Sequence, residues 1–333
     1  MKNFKHMAAG TVMLAAAALV AGAAQAASLK ASHQWPGGKG DARDEMVQII
    51  AREVAAANVD LDIKVYPGAS LVKPKEQWPA LVKGQIDISA FPLDYASGRH
   101  PQFSATLMPG LVGNHERAKR VNSSPFMDDI KKIIDEAGVK VLADAWLAGA
   151  FASKKQCITG PESMKGQVTR AAGPAFEQML VGAGASIASM PSSEIYTGMQ
   201  TNVLDAANTS SGSFVSYRLY EQVKCLTAPG ENALWFMYEP ILISKKSWEG
   251  LNEAQQKALV AASKKAEDYF FEQAKMLDQK MIDTFKGAGV EIAEMSKADF
   301  DAWLAIAKET SYKQFAEKVP GGKELIEKAL AVK

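Results

Sequence analysis

From Asn252 to Lys286 the chain carries neither glycine nor proline, and its apolar residues recur at helical spacing. At ~1.5 Å per residue such a helix is about 50 Å long, more than the roughly 30 Å width of a small domain. It must therefore lie across two bodies or cross a membrane. Glu253, Lys257, Lys264, Glu267, Asp268 and Glu272 are spread along it, and that polarity excludes a membrane span. No later segment offers the ~18 uninterrupted apolar residues that a span needs.

The stretch before it alternates between strand and helix patterns. Ser28 to His33 reads as a strand, followed by a turn at Pro36 to Gly38. Asp41 to Ala57 reads as a helix with Asp41 as N-cap, its Met46, Ile49, Ile50 and Val54 giving the 3.6 period. Leu61, Ile63 and Val65 alternate as a strand, Pro74 to Lys83 forms a short helix bent at Pro79, and Ile86 to Phe91 is the next strand. This is an α/β layout with a mostly parallel sheet. Ligands bind outside the carboxyl ends of such strands, so His33 to Trp35, Gly68 to Leu71 and Pro92 to Tyr95 are the segments to watch. A further strand spans Val139 to Trp146, and Gly149 to Ser153 crosses to a second region that resumes the alternation, with a strand from Val203 to Ala207. Trp235 to Ser244 leads back, and Asp299 to Lys308 and Gly322 to Leu330 form closing helices. The expected fold class is α/β, with two lobes joined by strand crossovers and the long helix spanning both lobes. The expected lobes are 27–148 plus 235–275, and 149–234 plus 276–333.

Residues 1–26 read as a cleavable export signal: Lys2 and Lys5, an Ala-rich apolar run, and a small-x-small site at Ala24 to Ala26. Export to the periplasm follows as an expectation. Cleavage after Ala26 would remove two lysines and no acid, taking the formal charge from +1 to −1. That is no footprint of a nucleic-acid binder. The only cysteines, Cys157 and Cys225, are an even pair that an oxidising compartment would join as a disulfide. The four histidines show no metal-ligand spacing, and there is no HExxH, CxxC, Walker loop or GxSxG elbow. No catalytic set, cofactor or metal is expected.

Several stretches resemble the substrate-binding proteins of TRAP (tripartite ATP-independent periplasmic) transporters. They are Met164-Lys165-Gly166-Gln167-Val168-Thr169-Arg170, the helix pattern Ser193 to Thr201 with Val203-Leu204-Asp205 after it, Met108 to Leu111 with Glu116 to Ala118, Gly84 to Ile88, and Tyr220 to Lys224. The resemblance follows the chain in order over nearly its whole length. It implies a two-lobed periplasmic binding protein of type II-like layout, a receptor that captures a carboxylate-bearing organic acid in an interlobe cleft and delivers it to an ion-gradient-driven TRAP membrane permease; a monomer is expected.

By that resemblance Arg170 is the carboxylate-binding arginine, and a guanidinium suits the task because its planar fork matches a carboxylate. Asn208 and Thr209, expected just after a strand, would read the ligand's polar groups. His33, Trp35, Tyr95, Trp146 and Trp235 sit near strand ends or crossovers and are candidate cleft-lining residues. Many relatives carry a second arginine about 20 residues before the first, where this chain has Ala148 to Phe151. Three readings stay open beside a sugar-acid or hydroxy-acid receptor: an aromatic-acid receptor, a receptor for an ATP-driven importer or sensor kinase, and an exported hydrolase.

Overall fold

A computed structural model describes residues 27–333; the expected export signal and its expected cleavage site lie outside the described residues. Along the chain the strands are β1 (Ala27–Ser32), β2 (Leu61–Tyr66), β3 (Ile88–Ala90), β4 (Val139–Ala143), β5 (Trp146–Ser153), β6 (Val168–Ala171), β7 (Ser186–Ser189), β8 (Ala206–Ser210), β9 (Cys225–Ala228), β10 (Phe236–Tyr238), β11 (Ile241–Ser244) and β12 (Glu291–Glu294). They form two sheets, ordered β2-β1-β3-β11-β4 and β12-β9-β5-β8-β6-β7, with β10 paired to β5. In the first sheet β1 runs parallel to β2 and β3, and β11 is antiparallel to both its neighbours. In the second, β6 is parallel to β7 and β8, whereas β5 is antiparallel to β8 and β9.

The first helix, Ala42–Ala56, starts where Asp41 accepts a hydrogen bond from the Arg43 amide, an N-cap that satisfies one of the open amides of the first turn. Its Met46, Val47, Ile50 and Val54 pack on Leu29, Ile63 and Ile88 of the first sheet. The long helix runs from Glu253 to Gly287, and Asn252 and Gln255 close a reciprocal capping box at its start. Leu259, Ala262, Ala266 and Phe270 join the core of the first lobe, and Met281 and Phe285 join Leu204, Ala207 and Phe214 of the second. One helix thus serves both cores, which its length required. The Pro79 bend resolves into a 3-10 turn, Pro74–Glu76, followed by a helix, Gln77–Val82. Pro79 falls in that helix's first turn, where its missing N–H costs nothing.

Three expectations shift. The chain leaves β4 at Asp144 and Ala145 and re-enters as β5, so Trp146 opens the crossover strand instead of ending β4. The strand expected at Val203 to Ala207 begins at Ala206 and includes Asn208, Thr209 and Ser210. Asn202 takes a left-handed φ of 61° and Val203 is exposed, so the turn after the preceding helix is longer than the apolar run implied. The closing residues also divide between the lobes: Trp303 stacks on Phe151 in the second, but Phe315, Leu325 and Ile326 pack with Phe126 and Ile130 in the first. The segment 276–333 is therefore not all second lobe.

Cys157, beyond the end of β5, and Cys225, at the start of β9, form a disulfide with Cα atoms 5.1 Å apart. It closes a separation of 68 residues and contributes roughly 4 kcal/mol on the chain-entropy account.

Candidate functional site

The two lobes meet where β1 and β3 of the first sheet and β6 and β8 of the second run out. Arg170 lies on β6 and is 1% exposed. Its Nε donates to the Met190 carbonyl (2.9 Å), one Nη to the Asn208 carbonyl (2.9 Å) and the other to the Tyr95 hydroxyl (3.1 Å). All three acceptors are uncharged, and among the described residues no carboxylate lies within ion-pair distance of this guanidinium. Three of its five N–H groups are used, so two stay available. The Asn208 side chain donates to the Arg170 carbonyl at 2.8 Å, which locks β6 to β8 beside the charge.

Tyr95 reaches this point from the other lobe, on the 3-10 turn Leu93–Ala96 after β3. Its hydroxyl accepts from Arg170 and also from the Ser192 amide at 2.9 Å. A second interlobe tie runs beside it: the Tyr217 hydroxyl donates to the Gln34 carbonyl at 2.9 Å. Behind Gln34, the Gly68 and Ala69 amides donate to the Trp35 and His33 carbonyls at 2.8 Å, so the loop after β2 braces the end of β1.

A second arginine also lies buried at the interface. Arg43, in the first turn of the first helix, holds Asp41 through two side-chain bonds of 2.9 and 2.7 Å. Its remaining Nη reaches Ser210 (2.8 Å), Ser213 (3.1 Å) and Glu239 (3.1 Å). The guanidinium lies 4.3 Å over the Trp35 ring, an attractive cation–π geometry. Burial works to raise the Asp41 carboxyl, but Arg43 outweighs it and holds that group below its ordinary range. At Glu239 burial wins over the pull of Arg43, and the carboxyl is pushed up.

Asp94 completes the set. It is buried, accepts from the Ser97 hydroxyl at 2.7 Å through one oxygen, and has no partner for the other among the described residues. That free oxygen presses against Gly173, where a Cβ would sit 1.6 Å from it. Burial pushes the Asp94 carboxyl up to about 7, with Glu177 adding to the rise and Arg170 and Lys75 opposing it. The site can hold an anion at Arg170 and offers neutral hydrogen-bonding groups around it.

Residues 43–318 match the family model DctP, described as bacterial extracellular solute-binding protein, family 7. The chain belongs to this family. Among its relatives is a solute-binding protein of Albidiferax ferrireducens, 36% identical over 307 residues and covering 91% of each chain. A TRAP periplasmic solute-binding protein of Rhodoferax ferrireducens, solved with bound malonate, is similar at a TM-score of 0.88 and 36% identity, over 90% of this chain and 96% of that one. DctP7 of Bordetella pertussis, a receptor solved binding pyroglutamic acid, shares the fold at a TM-score of 0.83 and 19% identity, over 91% of this chain and 99% of that one. The two-lobed α/β architecture is that of the solute-binding family.

Within that frame the structure brings together most of the residues singled out in the sequence. Arg170, Asn208 and Tyr95 are in direct contact. Thr209, buried in β8, pairs with Ala150 of β5. Asn208 and Thr209 are thus strand residues rather than a loop. His33 is held by Asp44 at 3.1 Å and stacks at 5.9 Å on Trp35. Trp235 is 2% exposed and packs over Gly149, next to the Thr209 carbonyl. Trp146 is a correction. Its indole N–H donates to Asn122 at 2.7 Å, its ring packs on Phe236 and Tyr238, and it lines a separate cavity of about 260 Å³ with Lys119, Lys264 and Glu267. It faces the long helix because the break at Asp144 and Ala145 re-aims the chain. Arg43 and Asp94 were not anticipated. One signal for Arg43 was available: Glu239 is the only charge between Leu234 and Ser244, and an acid inside such a run needs a cation.

Proposed function

We propose that this chain is the periplasmic receptor of a TRAP transporter, capturing an organic acid through its carboxylate on Arg170 and presenting it to the membrane permease. The observation that carries this reading is a buried guanidinium whose hydrogen-bond partners are all neutral and which has no ion-pair partner among the described residues. Burying a lone charge costs several kcal/mol, so a site that keeps one is built for a partner from outside, and a carboxylate matches the two free N–H groups. The relative solved with malonate, itself a carboxylate, supports the assignment. The export signal accords with delivery to the periplasm, and the receptor works as a monomer without cofactor or catalysis. His33 is tied to Asp44, so the one histidine near the cleft is engaged in the fold rather than paired with a nucleophile.

A sugar acid, hydroxy acid or similar small polar acid is favoured over an aromatic acid. Trp35 is covered by Arg43, and Trp146 faces another cavity, which leaves no tryptophan pair to sandwich an aromatic ring. A thermal-shift screen over organic acids tests the reading, because a ligand that binds only the folded chain raises its melting temperature. At least one small carboxylate should raise it in the wild type and fail to do so in Arg170→Gln. A panel in which only uncharged solutes stabilise the protein would contradict it.

A further inference from the structure

The buried charges where the lobes meet determine how much charge a ligand can bring. Arg43 is offset by Asp41 in a two-bond pair, with Glu239 on its other edge. His33 and Asp44 face one another at 3.1 Å. Asp94 has one oxygen on Ser97 and the other on no partner among the described residues. Arg170 differs in that its hydrogen-bond partners are all uncharged. Other unpartnered buried atoms from the segments meeting here include the Asn208 and Gln34 side-chain carbonyl oxygens, which accept, the Trp35 and Trp235 indole N–H groups, which donate, and the Ser32 and Ser216 hydroxyls and His33 Nδ1.

A first carboxylate on Arg170 meets the one buried arginine of the interface that has no ion-pair partner among the described residues. A second ionised carboxylate would be buried among Asn208, Gln34 and Asp94 oxygens with no second unpaired arginine to meet it, and burying an unpaired carboxylate is strongly unfavourable. Building on the reading of the site as a carboxylate receptor, we propose that the closed site accepts one net negative charge, so that a dicarboxylate enters only together with a proton. The preferred ligand is a monocarboxylate whose far end is neutral and carries both a hydrogen-bond donor and an acceptor, answering the amide oxygens and the indole N–H groups. For a dicarboxylate the proton rests on the ligand's second carboxyl or on Asp94, which burial already pushes up to about 7. The groups whose charge acts on Asp94 are Glu177 of the helix Pro174–Gly182, Arg170 of β6, and Lys75 of the 3-10 turn after β2; Glu177 favours its proton and the two cations oppose it.

The test is titration calorimetry of the mature chain with four probes: pyroglutamate and lactate as monoacids, malonate and succinate as diacids. Repeating each titration in buffers of different ionisation enthalpy counts the protons exchanged. The diacids should take up about one proton per site more than the monoacids, and their affinity should fall about tenfold per pH unit above neutrality. Monoacid affinity should vary far less over the same range. A diacid that binds with no extra proton and a pH-independent affinity overturns the charge limit while leaving the carboxylate reading in place. Failure of all four acids to bind counts against the carboxylate reading itself and takes the proposal with it.

Discussion

Arg43 and Arg170 are both 1% exposed, and both reach across the lobe interface. Arg43 has Asp41 and Glu239 around it, and Arg170 has two backbone carbonyls and a tyrosine hydroxyl. The same side chain, equally buried, thus occupies opposite electrostatic positions. Arg43 completes its balance within the chain and ties the first helix to β8. Arg170 has no ion-pair partner among the described residues, and on the proposed reading its counter-ion is the ligand's carboxylate. On the proposed reading, what separates the two is an ion-pair partner and not burial.

The largest effect that could break this contrast is on stability. Arg43→Met leaves Asp41 ionised and buried with no cation, so it should cost about 3–5 kcal/mol in denaturant unfolding. A loss below about 1 kcal/mol would mean that the pair contributes nothing beyond shape. Asp94→Asn should act on pH dependence. Asp94 holds its proton up to about pH 7 in the fold, whereas the unfolded carboxyl loses it near pH 4. The folded state therefore binds more protons in that window, and wild-type stability should fall there as pH rises. The upper bound is on the order of 4 kcal/mol for a shift of about three pH units. Asp94→Asn removes this slope. Parallel stability profiles for the two proteins between pH 4 and 7 would refute it.

Smaller effects sharpen the contrast. Tyr95→Phe removes the hydroxyl that joins Arg170 and Ser192 across the lobes, and an unmet buried donor costs about 1–3 kcal/mol. Ligand affinity should fall by roughly tenfold or more by calorimetry, with the secondary structure unchanged by circular dichroism. Trp146→Phe should leave affinity within about twofold, because Trp146 faces Asn122 and the long helix. A larger loss would return it to the binding site.

How much of this was legible follows from how local each signal is. The first helix, its Asp41 cap and the long helix are written in short-range periodicity, and the structure places them within a residue or two of the sequence reading. Arg170 was singled out because it lies in a recognisable segment, and the structure places it inside β6. Arg43 was missed because its partners Ser210 and Glu239 stand 167 and 196 residues away, and two positions after an N-cap it reads as a solvent-facing helix residue. The Asn208 and Thr209 strand was displaced because the left-handed turn at Asn202 consumes residues that look apolar enough to extend. Asp94 gave no sign at all, since its burial depends on Gly173 of the other lobe leaving room for it.

The central claim is that Arg170 is kept unpaired to meet a ligand carboxylate. Arg170→Gln removes a buried charge with no ion-pair partner among the described residues, so the unliganded variant should melt at or above the wild-type temperature. Saturating malonate should raise the melting temperature of the wild type and leave that of the variant unchanged. A variant that melts several degrees lower without ligand, yet is stabilised by malonate as strongly as the wild type, would make Arg170 a structural residue and contradict the account.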